Sequence, residues 1–184
     1  IDWGIYAICR VLWQMGNPEP ERIVGQTYDR LPMDRELREE SGYDVEEMGV
    51  GFVHFRNGAT LDVLAAWALN LDEEVGCCVA GDKGGVIFAP FFAQDVPPVR
   101  FFSAAADPYV REPLDLDAAR ERWDAAGDGD AYDSPQHHWV RALQGKVPLM
   151  PTAEVALNMI LIAVGIYRSA ELGREVRAEE LKGE

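Results

Sequence analysis

Asn57-Gly58 stands between two runs of partly alternating apolar residues, Val45–Phe55 and Thr60–Leu69, and no other feature narrows the available folds as much. Asn and Gly both tolerate positive φ, so the pair closes a tight hairpin with the twist that paired strands require. A second hairpin is predicted where Val75–Ala80 and Gly85–Ala89 flank Gly81-Asp82-Lys83-Gly84. Glu21–Tyr28 and Val99–Ser103 read as further strands. Five or six strands joined by hairpins build an antiparallel sheet, because parallel neighbours need long helical crossovers.

Helices enclose these strands in the sequence. Ile5, Ile8, Cys9, Leu12 and Trp13 recur at helical spacing, and Gly16-Asn17-Pro18 supplies the stop. The charged stretch 31–43 predicts a loop or short helix. Ser134-Pro135 is a helix start, with Ser as cap and Pro in the first turn. A long helix opens at Pro151-Thr152 and ends at Gly173; Val155, Met159, Ile162, Ala163, Ile166, Tyr167 and Ala170 form its expected buried stripe. The fold class is therefore α+β: an open, mainly antiparallel sheet of five or six strands with helices packed on one face. The opposite sheet face is expected to meet another domain or subunit, since a bare apolar face is a liability in a monomer.

Composition removes several function classes. Lys plus Arg number 17 against 32 Asp plus Glu, a net charge of −15, with no basic stripe. Nucleic acid and anionic membrane surfaces both recruit basic clusters, so neither is an expected partner. No run of about 18 uninterrupted apolar residues occurs, so no membrane span is predicted. Three Cys make no disulfide scaffold, and a cytoplasmic location is expected. Cys77-Cys78 reads as strand, one side chain to each face, and as a buried pair. Phosphate-binding glycine motifs are absent; Gly81–Gly85 is a turn. His137-His138 are adjacent, so on a helix they diverge; a solvated or capping role is expected, and no metal site. Asp128–Asp133 lacks the glycine and closing acid of a calcium loop. Position 1 is Ile and a helical pattern begins at once, so the chain is expected to be part of something longer.

One constellation carries chemistry: Asp2-Trp3-Gly4-Ile5-Tyr6. Asp2 and Tyr6 are four apart and share one face of a helix. Gly4 lets a ligand or a neighbouring backbone come close. A phenol beside a carboxyl relays a proton when a nearby cation favours the phenolate. The plainer alternative is that Asp2 caps the helix and Tyr6 packs at its edge.

These residues resemble the opening of the C-terminal domain of the glucose-fructose oxidoreductase / inositol dehydrogenase family, Gfo/Idh/MocA, which carries Asp-x-Gly-x-His or Asp-x-Gly-x-Tyr there. Asp2, Gly4 and Tyr6 match, followed by Trp13-Gln14-Met15-Gly16 and Glu19-Pro20. The Tyr version is similar to the glucose-fructose oxidoreductase and dihydrodiol or xylose dehydrogenase branch. Many members have a second Asp three residues after the His; Cys9 stands there instead. Further along, Asp44–Glu47 with Phe52, Phe55 and Asn57-Gly58-Ala59 resembles the family's hairpin, Ala66-Trp67 its strand end, Gly81–Gly85 its turn, and Trp139–Pro148 and Ile166–Val176 its closing helices.

The resemblance implies a two-domain NAD(P)-dependent oxidoreductase. Its N-terminal Rossmann domain, absent from this chain, would bind NAD or NADP and supply a catalytic Lys. Residues 1–184 would be the C-terminal substrate-binding and oligomerisation domain, inactive alone, forming a homo-oligomer through its sheet face. Tyr6 would exchange the hydroxyl or carbonyl proton of a sugar or polyol, and Asp2 would orient the substrate hydroxyl or Tyr6. Trp67 and Trp3 would line the substrate site, although core packing is the favoured role for Trp67 from its residue type alone. The alternative is a non-catalytic binding or dimerisation module derived from the same fold.

Overall fold

The computed structural model describes residues 2–30, 32, 34–69, 76–90, 98–103, 110–113, 115–127 and 129–181. In chain order the elements are α1 (Asp2–Gln14), β1 (Pro20–Tyr28), α2 (Arg35–Ser41), β2 (Met48–Phe55), β3 (Thr60–Ala66), β4 (Cys77–Gly81), β5 (Gly84–Phe88), β6 (Val99–Ser103), β7 (Val110–Pro113), α3 (Leu116–Ala126), a 3-10 turn (Gly129–Tyr132), α4 (Pro135–Leu143), α5 (Thr152–Leu172), β8 (Val176–Arg177) and α6 (Ala178–Leu181). The class is α+β, and every strand pair is antiparallel. Among the described residues the strands number eight, in two four-stranded sheets ordered β3-β2-β1-β8 and β4-β5-β6-β7. They belong to two compact units, 1–74 with 153–184, and 75–152.

In the first unit the hairpin at Asn57-Gly58 forms as the turn chemistry demands: Gly58 has φ +86°, and Asn57 Oδ1 accepts from Ala59 N at 3.1 Å. α1 stops at Gly16 (φ +77°) and Asn17 (φ +53°), the left-handed pair that satisfies its last carbonyls. The core joins Ile8 and Leu12 of α1, Ile23 of β1, Val53 and Phe55 of β2, Val63 and Ala65 of β3, and Val155, Met159, Ile162 and Ile166 of α5. α5 lies unusually close to the sheet. A Cβ on Gly25 would sit 2.8 Å from Ile166 Cγ2, one on Gly51 would sit 2.6 Å from Ile166 Cδ1, and one on Gly165 would sit 2.5 Å from Ile23 Cδ1. Gly25 and Gly51 are cross-strand partners, so together they form a trough that admits Ile166. Ser169, 1% exposed, closes the seam by accepting from Gly25 N at 2.9 Å and donating to Arg174 O at 2.7 Å.

The other face of this sheet carries Val24, Tyr28 and Leu64, exposed by 42%, 39% and 51%. α5 itself is long and apolar enough to cross a membrane by length and composition. It nevertheless buries Val155, Met159, Ile162 and Ile166 in the core of this unit.

In the second unit Asp82-Lys83 turns between β4 and β5, as the glycines around it predict. α3 is capped by Asp115, whose side chain accepts from Ala118 N at 2.9 Å, and ended by Gly127 at φ +84°. Ser134 caps α4 with Pro135 in its first turn.

Three expectations change. Cys78 is exposed and Cys77 only half-buried, because β4 packs too little against its surroundings to cover either thiol. His137 does join the α4 cap, its Nδ1 2.8 Å from Ser134 Oγ, but His138 is buried. Its ring stacks on Tyr132 with centroids 5.4 Å apart, and Nε2 accepts from Met150 N at 3.1 Å. Tyr167 leaves the predicted stripe: it is 41% exposed and donates its hydroxyl to Glu46 Oε1 at 2.6 Å. The calcium-like stretch begins at Asp128, outside the described residues.

Candidate active site

α1 is built to show one side. Ile8, Val11 and Leu12 are buried, while Tyr6, about 200° around the helix from Ile8, is 56% exposed. The phenol is therefore not a core residue. Asp2 stands one turn before it on α1, and Gly4 between them is buried. The side chains of Asp2 and Trp3 lie outside the described residues.

α1 feeds β1 through the tight stop at Gly16-Asn17 and packs against β3, which finishes at Ala66. Trp67 follows β3 at that end and is 49% exposed. Its exposure excludes the core-packing role the sequence left open. The indole Nε1 donates to Glu46 O at 3.0 Å and the backbone N to Glu47 O at 3.2 Å.

Residues that the sequence did not single out surround Trp67. Tyr43 meets it edge-on, with centroids 6.2 Å apart at 68°. The Arg38 guanidinium lies 5.2 Å over the Tyr43 ring and pairs with Asp29. That guanidinium holds the Asp29 carboxyl below its ordinary range. Burial pushes the Tyr43 hydroxyl up, and the negative charges of Glu47 and Asp29 add to the shift. Glu47 is 4% exposed and its carboxylate accepts from Arg30 N. The only local hint of this group is one aromatic inside an otherwise charged stretch.

An open groove of about 540 Å³ lies at mid-sheet, with Val24, Val50, Phe52, Asp62 and Arg174 among its lining residues. Neither Tyr6 nor Trp67 is among those lining residues. Among the described residues no group of three or more His, Cys, Asp or Glu is placed to hold a metal ion. Those residues do not fit a dinucleotide either. Their strand pairs are antiparallel, and Gly81–Gly85 is a hairpin turn, not a strand-to-helix phosphate loop.

The fold is that of an α+β domain that carries an exposed phenol on its opening helix. The chain belongs to the oxidoreductase family defined by the Gfo/Idh/MocA C-terminal alpha/beta domain, whose model matches residues 1–177. It is 21% identical over 183 residues to D-glucoside 3-dehydrogenase of Escherichia coli K12, covering 96% of this chain and 47% of that protein. Among solved structures it resembles aldose-aldose oxidoreductase from Caulobacter crescentus complexed with glycerol, with TM-score 0.59, 20% identity, and 95% and 45% of the two chains covered. An oxidoreductase from Agrobacterium radiobacter in complex with NAD+, L-tartaric acid and magnesium gives TM-score 0.61, 16% identity, and 97% and 48% coverage. At these identities the structural likeness is one of fold. The chain spans about half the length of each of these relatives.

Proposed function

We propose that the chain is the C-terminal substrate-binding domain of an NAD(P)-dependent oxidoreductase that acts on a sugar, polyol or related hydroxyl or carbonyl compound. The exposed Tyr6 phenol, on a helix that matches the family's Asp-x-Gly-x-Tyr pattern, carries this reading. A nicotinamide, held by a half of the protein beyond this chain, would supply the hydride exchange. This chain's residues do the rest. Tyr6 Oη gives its proton to the substrate carbonyl oxygen or takes one from the hydroxyl. Asp2 orients that hydroxyl, and Trp3 and Trp67 wall the substrate. A free phenol titrates near 10, so Tyr6 needs a cation beside it to act as base; a Lys from the nucleotide-binding half fills that need. The sugar-directed name of the Escherichia coli relative and the glycerol of the Caulobacter structure support a polyhydroxyl substrate.

Positioned acid/base groups contribute about 10²–10⁴-fold, so Tyr6→Phe in the intact protein should lower turnover at least about 10²-fold with an unchanged circular dichroism spectrum. Near-normal turnover by a folded variant would remove Tyr6 from the reaction. A second reading, a non-catalytic dimerisation module, draws on the exposed apolar sheet face of Val24, Tyr28 and Leu64. It requires that the intact protein reduce no NAD(P)+ with any of a panel of aldoses, glycosides and polyols.

A further inference from the structure

We infer that the outward side of α5, which carries Leu157, Ile160 and Val164, is the surface on which the nucleotide-binding half of the protein docks. This inference rests on the oxidoreductase reading above and locates the partner half on this chain. Between Glu154 and Arg168 the helix holds no charged residue. Its inward side explains only part of that run: Met159, Ile162 and Ile166 belong to the core. Leu157, Ile160 and Val164 each stand two positions before one of these, about 200° around the helix, and are exposed by 57%, 50% and 41%. Asn158, the one amide in the run, is engaged with the end of α1, its Nδ2 donating to Asn17 Oδ1 at 3.1 Å and to Pro18 O at 3.4 Å. A helix that is apolar on all sides calls for cover on all sides.

The fold sets two occupants aside. By length and composition α5 could cross a membrane, but crossing would strip Met159, Ile162 and Ile166 from the core. A net charge of −15 is also repelled by anionic headgroups. A second copy has the opposite sheet face available, where Val24 and Leu64 are exposed. The position of α1 selects the third occupant. α1 packs on β3, while α5 rests on Gly25 of β1 and Gly51 of β2. Both helices share one core with Val53, Val63 and Ala65, so they lie side by side on one face of the sheet. The far side of this two-helix layer shows Tyr6 and Trp13 from α1 and the three aliphatic residues from α5. For Tyr6 to meet a nicotinamide, the half that holds it must come down on that side, with the aliphatic stripe beneath it. Apolar side chains with a neighbouring aromatic are what the core of such an interface uses. Docking there would fix where the nicotinamide stands relative to Tyr6.

The test uses the intact protein, without substitution and without lipid, in two readouts. In the first, hydroxyl radicals oxidise exposed side chains. Leu37 of α2, 58% exposed, is the matched reference for Leu157. Leu157 should oxidise about tenfold more slowly than Leu37, with no change on dilution. In the second, the protein is grown with a diazirine analogue of leucine and illuminated, and the adduct formed at position 157 is mapped by mass spectrometry. It should join Leu157 to a peptide of the same protein outside residues 1–184. Oxidation of Leu157 as fast as Leu37 overturns the inference. So does an adduct confined to residues 1–184, whether of the same copy or a second one, and so does protection that appears only when lipid vesicles are added. Absence of NAD(P)-linked turnover, with the protection and the outside adduct both present, would instead overturn the oxidoreductase reading and leave the docking surface standing.

Discussion

Ser169 does for the last long helix what an apolar residue of its size could not. Its hydroxyl, 1% exposed, accepts from Gly25 N and donates to Arg174 O, so a strand amide and a carbonyl just past the helix end are satisfied by one atom. Ser169→Ala leaves both groups buried without that partner, an expected loss of about 1–3 kcal/mol in denaturant unfolding. The thiols make a second case at this scale. Cys78 is exposed, whereas burial raises the Cys9 thiol above its ordinary titration point. Reactivity follows the thiolate, so at neutral pH a disulfide reagent should modify Cys78 well before Cys9. Modification of Cys9 first would show that α1 is not seated on its sheet. Side-chain periodicity left Tyr6 out of the apolar stripe of α1, and its ring is exposed. It misread Tyr167, because nothing along the chain announces a glutamate 121 positions away.

The elements meet through a seam of glycines. Helix α5 rests on Gly25 and Gly51 of paired strands while its own Gly165 rests on Ile23, so side chains are missing on both sides of the contact. At Gly25 the added carbon would also meet backbone, with Val50 O at 2.9 Å and Ile166 Cα at 3.0 Å, leaving no flexible group to yield. Gly25→Ala should therefore cost about 1–3 kcal/mol of stability, with the loss appearing in the unfolding midpoint. An unshifted midpoint would mean the helix stands further from the sheet. Element ends were the most legible part of the sequence. Ser134-Pro135, Gly16-Asn17 and Asn57-Gly58 act through their own backbone conformations and nearest neighbours. α3 was missed for the converse reason: it is largely exposed, so it has no apolar stripe, and only its Asp115 cap and Gly127 stop mark it.

For the whole molecule, the proposed division of labour gives one sheet face to helices and the other to a second copy. Val24 and Leu64 point outward from that second face. Substituting both by Lys in the intact protein should shift its sizing-chromatography mass down to the monomer with secondary structure intact. An unchanged mass would show that copies meet elsewhere. The overall −15 charge argues that such an interface is held by apolar contact and not by charge complementarity, so raising salt should strengthen it.

Local chemistry, present in the sequence by itself, determined the hairpins, the caps, the antiparallel class and the outward face of the opening helix. The Asp-x-Gly-x-Tyr pattern marked the family for the same reason: its residues lie within two turns of one helix. Tertiary structure alone decided the rest. β8 is two residues long and pairs Val176 with Ile23; the group around Trp67 draws on Asp29, Arg38, Tyr43 and Glu46–Glu47; the Tyr167 hydroxyl reaches Glu46. Each of these depends on groups distant in sequence arriving at one place, and no spacing rule along a chain encodes the distance between residues that only folding makes neighbours.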